Sequence, residues 1–196
     1  IDEALEHMSD YVALKESRIK TIKESLNAPD ITIHQKYGIY GRLFEEYAPY
    51  QFDEAFSMLQ MQEEIADSIS DQSLKTTALL NKAFLLTTSG LYHEADQTFS
   101  KLDTLSFDYQ QKIMWYNARQ KFLTDYQAYL KTSGIDLPEA SKITSYQDLI
   151  LANTPEDSYL NRHISIMRLI WANRWEEAYD ENMRLIETLN KSSRDY

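Results

Sequence analysis

Apolar and polar positions follow the period of an α-helix along almost the whole chain. Leu5, Met8, Val12, Ile19, Ile22 and Leu26 form a heptad-like stripe broken at Lys15. This predicts a first helix from about Asp2 to Leu26, either laid against the body or open to pairing with a second copy. Asn27-Ala28-Pro29-Asp30 stops it, because the residue before a proline disfavours helical backbone. Tyr37, Tyr40, Phe44 and Tyr47 stripe a second helix, about Thr32 to Tyr47. Pro49 marks the turn into a third, about Gln51 to Ile69, and a fourth runs from about Gln72 to Thr88. Gly90 fits the left-handed position past its end. A fifth helix is expected over about Tyr92 to Leu102, and a sixth from a Ser106 N-cap to about Leu130. Pro138 opens a seventh, reaching about Ala152. Thr154-Pro155-Glu156-Asp157 reads as N-cap, first-turn proline and acidic turn of an eighth, ending near Trp171. The ninth spans about Trp175 to Asn190.

Gly38 and Gly41 sit inside the second helix, where each costs about 1 kcal/mol against alanine. Close approach of a neighbouring helix is the expected reason, with a ligand contact as the alternative.

Three inter-helix turns share an aromatic residue followed three positions later by alanine. They are Phe52-Asp53-Glu54-Ala55, Tyr92-His93-Glu94-Ala95 and Trp175-Glu176-Glu177-Ala178. Each opens the second helix of a hairpin. The ring is expected to fill the wedge between the paired helices, the alanine to allow their close crossing, and the acids to complement the helix N-terminus. The middle hairpin, with Leu79, Ala83, Leu86, Gly90, Tyr92, Ala95 and Phe99, resembles the tetratricopeptide signature in residue class and offset. The other two match in part, since Leu59 and Asn182 stand where the signature's later aromatic falls. The fold class expected is therefore all-α, a tetratricopeptide-like array of antiparallel helical hairpins forming an α-α superhelix. Residues 1–196 read as one such domain, a long N-terminal helix over 1–30 and about four hairpins over 31–190.

A second resemblance covers nearly the whole chain. Tyr11-Val12-Ala13-Leu14-Lys15-Glu16-Ser17-Arg18-Ile19, Tyr40-Gly41-Arg42-Leu43-Phe44-Glu45-Glu46-Tyr47, Gln51-Phe52-Asp53-Glu54-Ala55 and Thr154-Pro155-Glu156-Asp157-Ser158 carry it. In these stretches the chain resembles the N-terminal tetratricopeptide-like region of a Bacteroidetes family of membrane-tethered transcriptional regulators. The resemblance implies a membrane helix and a DNA-binding part outside this fragment. It also implies that this chain is the extracytoplasmic, periplasmic sensory part, with a cytoplasmic setting as the alternative. The chain opens at Ile1 rather than Met and reads as a processed piece, with any leader or anchor outside it.

Composition narrows the chemistry. The formal net charge is −11 and no segment is basic, so nucleic-acid contact by this chain is not expected. No run of about 18 apolar residues spans a membrane. Glycine and proline number only four each, which disfavours folds rich in tight turns. There is no cysteine, which excludes disulfides, thiolate metal sites and cysteine nucleophiles.

His7, His34, His93 and His163 form no metal-binding spacing, and Glu3 with His7 reads as a surface helix pair. The pairs Glu45-Glu46, Asp53-Glu54, Glu63-Glu64 and Glu176-Glu177 are adjacent in sequence and point to different sides of their helices, unlike a glycosidase pair. No phosphate loop and no nucleophile elbow is present. No catalytic residue, metal or cofactor is assigned, and the chain is expected not to be an enzyme.

Aromatics are abundant, with 14 Tyr, 7 Phe and 3 Trp; most are expected to fill the space between helices, though tyrosine is overabundant and its hydroxyl needs a partner or water. On the sixth helix Lys112, Tyr116 and Arg119 recur at helical spacing and could form an aromatic-basic partner-binding patch. The competing reading is a solvated helix edge beside Ile113 and Trp115. The expected function is a protein-interaction or sensory module with a protein or peptide partner. A small-ligand or glycan receptor is the alternative, and a homodimer through the first helix is one assembly the heptad stripe allows.

Overall fold

The computed structural model describes residues 8–192, with side chains described for 12–189. Leu5, the Glu3–His7 pair, the start of the predicted first helix and the side chain of Met8 lie outside the described residues. Nine α-helices are seen among the described residues, and no strand. They are α1 (Met8–Glu24), α2 (Ile33–Tyr47), α3 (Phe52–Ser68), α4 (Gln72–Thr88), α5 (Tyr92–Phe99), α6 (Tyr109–Lys131), α7 (Lys142–Ala152), α8 (Tyr159–Trp171) and α9 (Trp175–Ser192). The chain is thus an all-α array of antiparallel helical hairpins. It divides into two compact units, residues 1–111 and 112–196, and the boundary falls in the first turn of α6.

Local signals set the helix ends. Thr32 and Gln35 form a reciprocal capping box at α2, the Gln35 N–H donating to Thr32 Oγ1 at 3.2 Å and the Thr32 N–H to Gln35 Oε1 at 2.8 Å. Asp71 caps α4 and Ser158 caps α8. Asp108, not Ser106, caps α6: it exchanges bonds with Gln111, whereas Ser106 ends a short 3-10 turn. Pro138 opens a 3-10 turn, Pro138–Ser141, and the α-helix proper begins at Lys142. Thr154 likewise does not cap α8. Its hydroxyl donates back to the Ile150 carbonyl, and Pro155 precedes the cap by three residues.

The tight turns share one closure. Ser70, Gly90, Gly134 and Asn173 all have positive φ, at 55°, 76°, 71° and 57°. At each, the next residue's N–H reaches back five residues along the helix: Asp71 to Ala66, Leu91 to Leu86, Ile135 to Leu130 and Arg174 to Leu169. This Schellman pattern satisfies the last helix carbonyls and turns the chain sharply. It joins α3 to α4, α4 to α5 and α8 to α9.

In the first unit, Ile19 and Ile22 of α1 pack with Ile39, Leu43 and Tyr47 of α2, Ala55 and Leu59 of α3, and Leu85 of α4. The first helix therefore lies on the body through its C-terminal half, while Val12 is exposed. Polar ties fix the register. Tyr37 donates to the Leu74 carbonyl at 2.8 Å, Gln62 to the Tyr37 carbonyl at 3.1 Å, and Lys82 pairs with Glu63 at 2.6 Å. Gly41 is where α2 and α3 come close: a Cβ there would meet Gln62 Nε2 at 3.0 Å. Gly38 does not share that role, because a Cβ there would meet nothing within 4 Å.

In the second unit, Ile166 packs with Ala178 and Leu185, and Arg168 ties α8 to α7 through Gln147 at 3.0 Å and Asp148 at 2.7 Å. The motif alanines behave as expected, Ala55, Ala95 and Ala178 all being buried. The motif rings do not behave alike. Phe52 and Tyr92 are half-buried, but Trp175 is 59% exposed. The wedge reading holds for the first two turns and fails at the third.

Candidate functional site

Arrays of helical hairpins recognise partners through grooves between helices. In the first unit a groove of 720 Å³ lies where the chain leaves α1 and enters α2. Ala28, Pro29 and Ile31 form one wall, and Gln35, Gly38 and Arg42 line it from α2. The sequence dictates this shape. Pro29 ends the helical path after α1, the Thr32–Gln35 box starts α2 beyond it, and Gly38 puts bare backbone where a side chain would otherwise fill the floor. Arg42 stands exposed at the rim and enters no ion pair with a described residue. The groove thus offers apolar walls, exposed backbone and one positive charge.

A second concavity of 590 Å³ in the same unit is aromatic. Phe44, Tyr50, Phe52 and Phe84 line it, together with Thr88 and Ser89. Tyr50 sits 6.3 Å from the Tyr47 ring, and the Lys15 ammonium lies 5.0 Å from the Tyr50 centroid. Burial first, then the charge of Glu16, holds the Tyr50 phenol above its ordinary range. In the second unit a polar depression of 610 Å³ lies between α8 and α9. Its charges are largely spent on one another: Arg184 pairs with Glu181 at 3.2 Å and Arg162 with the same carboxylate at 3.9 Å.

Of the residues proposed from spacing, Lys112 is exposed and Tyr116 is half-buried, stacked on Tyr146 at 6.0 Å between centroids. Arg119 is only 9% exposed. Its guanidinium lies 5.6 Å from the Trp115 ring and 5.3 Å from the Phe122 ring, and 3.5 Å from Glu139. The three share a helix, yet Arg119 is committed to packing, so they do not present one open surface.

Three of the four adjacent carboxylate pairs give one member to an ion pair. Glu46 meets Lys15 and Arg18, Glu63 meets Lys82, and Glu177 meets Arg174. The hydrogen bond from Arg174 holds Glu177 below the ordinary carboxylate range, and the one from Lys142 does the same for Glu139. His93 bonds Gln97 at 2.9 Å, and His163 stacks on Tyr159 at 5.9 Å. Among the described residues no group of three or more His, Asp or Glu is placed to hold a metal ion. No helix among them is long and apolar enough to cross a membrane.

Capped helices, Schellman turns, buried crossing alanines and open inter-helix grooves together define a tetratricopeptide-type helical repeat module, a class that mediates protein–protein interaction. The particular family follows from sequence. The family model described as the SusR N-terminal TPR domain matches residues 5–196, and the chain belongs to that family. No curated protein and no solved structure matched the chain.

The exposed face of α9 was missed by reasoning from sequence, and a ligand contact at Gly38 stood there only as the alternative to close helix approach. Each left a signal there: a glycine in mid-helix, and Trp175, Tyr179, Met183 and Ile186 recurring at helical spacing.

Proposed function

We propose that this domain is the extracytoplasmic sensory region of a membrane-tethered transcriptional regulator, and that it acts by binding a protein or peptide. The observation that carries the binding role is the open groove at Gly38. A helical glycine costs about 1 kcal/mol, and no neighbour in the fold uses the space it leaves. Bare helix backbone between apolar walls, with Arg42 at the rim, suits an extended segment bearing an acidic side chain. The regulator role and the extracytoplasmic setting rest on the family resemblance.

The test is site-specific photo-crosslinking from Arg42 in cells that carry the full-length protein. One discrete protein adduct, absent when the probe is moved to exposed Asp53, supports the reading. Equal, diffuse labelling from both positions refutes it. Protease accessibility of the domain in intact cells against opened cells tests the extracytoplasmic setting.

The aromatic concavity favours a second reading, a small-ligand or glycan receptor. Flat rings beside hydroxyls suit a sugar face. A thermal-shift screen against sugars separates the two readings, since a ligand that binds only the native state must raise the melting temperature. A shift removed by Tyr50→Ala would favour the glycan.

A further inference from the structure

The three hairpin turns that share the aromatic-to-alanine pattern are chemically equivalent, yet one is incomplete. Phe52 packs at 5.7 Å on Phe56 beside the core, and Tyr92 is half-buried, whereas Trp175 stands open. It is not alone. Tyr179 is 66% exposed, and Met183 and Ile186 are exposed as well. Trp175, Tyr179, Met183 and Ile186 lie four, four and three residues apart, so they form one continuous stripe along α9. This stripe lies beside the face that buries Ala178 and Leu185, and is separate from it. Four large apolar side chains in a row are more than scattered surface exposure.

The flank of the stripe says what covers it. Glu176, Asp180 and Glu187 repeat at helical spacing along its other edge, where Asp180 also borders the α8–α9 depression, and none of them enters an ion pair with a described residue. The acids Glu177 and Glu181, on the other side of the helix, are paired with arginines. An apolar seam edged by a row of carboxylates is the complement of an amphipathic helix whose apolar seam is edged by lysine or arginine. A second copy of this chain fits worse. Laid antiparallel on α9, it would set this acidic row against its own, in a molecule whose net charge is already −11.

We infer that the exposed face of α9 is a docking seam for a basic amphipathic helix of another protein segment. The Trp175–Ile186 stripe supplies the apolar contact, and the Glu176–Asp180–Glu187 row sets partner choice. The inference rests on the reading of the chain as an interaction module, and names a second surface for it, away from the Gly38 groove.

The probe is a dye-labelled peptide of three heptads with leucine at the a and d positions and lysine at e and g. Its control carries glutamate at e and g. Binding to the full chain is followed by fluorescence anisotropy at low and high salt. The lysine peptide should bind about tenfold or more tighter than the glutamate peptide, and rising salt should weaken it. The double variant Tyr179→Lys/Met183→Lys should lose about tenfold or more of that affinity. Both positions are exposed, so its circular dichroism and melting should match the parent.

Equal binding of the two peptides overturns the inference, and so does unchanged binding to the double variant. Self-association of the chain that the double variant abolishes overturns it too, because a second copy is then the occupant. Failure of the lysine peptide to bind sinks the seam but leaves the interaction reading to its crosslinking test. Binding lost on Gly38→Gln and kept in the double variant moves the site to the groove, which sinks the seam while supporting that reading.

Discussion

Two glycines three residues apart on α2 should respond oppositely to the same substitution. Alanine at either position gains about 1 kcal/mol of helix propensity over glycine. At Gly38 nothing opposes the gain, because the space a Cβ would enter is open. Gly38→Ala should therefore stabilise the protein by about 1 kcal/mol, raising Tm by about 2–4 °C for a chain of this length. At Gly41 the new methyl meets Gln62 Nε2 at 3.0 Å. Gln62 is 3% exposed, its Nε2 donates to the Tyr37 carbonyl, and its Oε1 is already without a partner. Pushing the amide aside breaks that bond inside the core, and an unsatisfied buried polar group costs about 1–3 kcal/mol. Gly41→Ala should thus fall about 1–3 kcal/mol below Gly38→Ala and lie at or below the parent. In a Gln62→Ala background, Gly41→Ala should instead stabilise about as much as Gly38→Ala, since the two sites are coupled. The assay is urea denaturation followed by circular dichroism, with the m-value checked for constancy. Gly41→Ala stabilising as much as Gly38→Ala would refute the close approach of α2 and α3.

Further outcomes follow from the same geometry. Ser70 holds a left-handed conformation that costs a non-glycine residue about 1 kcal/mol, so Ser70→Gly should stabilise by about that amount. Gly90→Ala, at φ 76°, should destabilise by a similar amount in the same denaturation assay. Burial first, then the charge of Asp71, pushes the Tyr37 phenol up to about 12. The unfolded phenol ionises near pH 10 while the folded one stays neutral, so its contribution holds below that pH and is lost as pH rises towards 12. The loss is up to about 2 kcal/mol, and Tyr37→Phe should show a correspondingly flatter decline of stability above pH 10. Ala95→Leu, at a fully buried crossing point, should cost about 1–3 kcal/mol by overpacking. Trp175→Ala should stay within about 0.5 kcal/mol of the parent, because the ring is open to solvent.

Helix order and most helix bounds were legible in the sequence because apolar periodicity and punctuation agreed. Gly90, Pro49 and the Tyr37–Tyr47 stripe each pointed to the element that forms. The errors have local causes. Ser106 and Thr154 are good cap residues by type, but Asp108 and Ser158 sit where the helix dihedrals begin and take the N–H bonds instead. Pro138 has the residue type of an α-helix opener, but a single turn of 3-10 geometry suits it equally and is what forms.

The surfaces were harder to read, because exposure is a tertiary property. Lys112, Tyr116 and Arg119 have the spacing of an open patch, yet Trp115, Phe122 and Glu139 enclose Arg119. Trp175 carries the same motif as Phe52 and Tyr92, and only its recurrence with Tyr179, Met183 and Ile186 beside the buried Ala178 and Leu185 marks a second apolar stripe on that helix.

The central claim is that this helical array binds a protein segment, and linkage tests it directly. A synthetic peptide covering the segment crosslinked from Arg42 should raise Tm when added in excess. At about a hundred times its Kd, the native state gains about 2.7 kcal/mol, or about 5–10 °C. Gly38→Gln, which fills the groove floor, should remove that rise. An unchanged Tm with the peptide in excess, or an equal rise in the Gly38→Gln variant, would contradict the account.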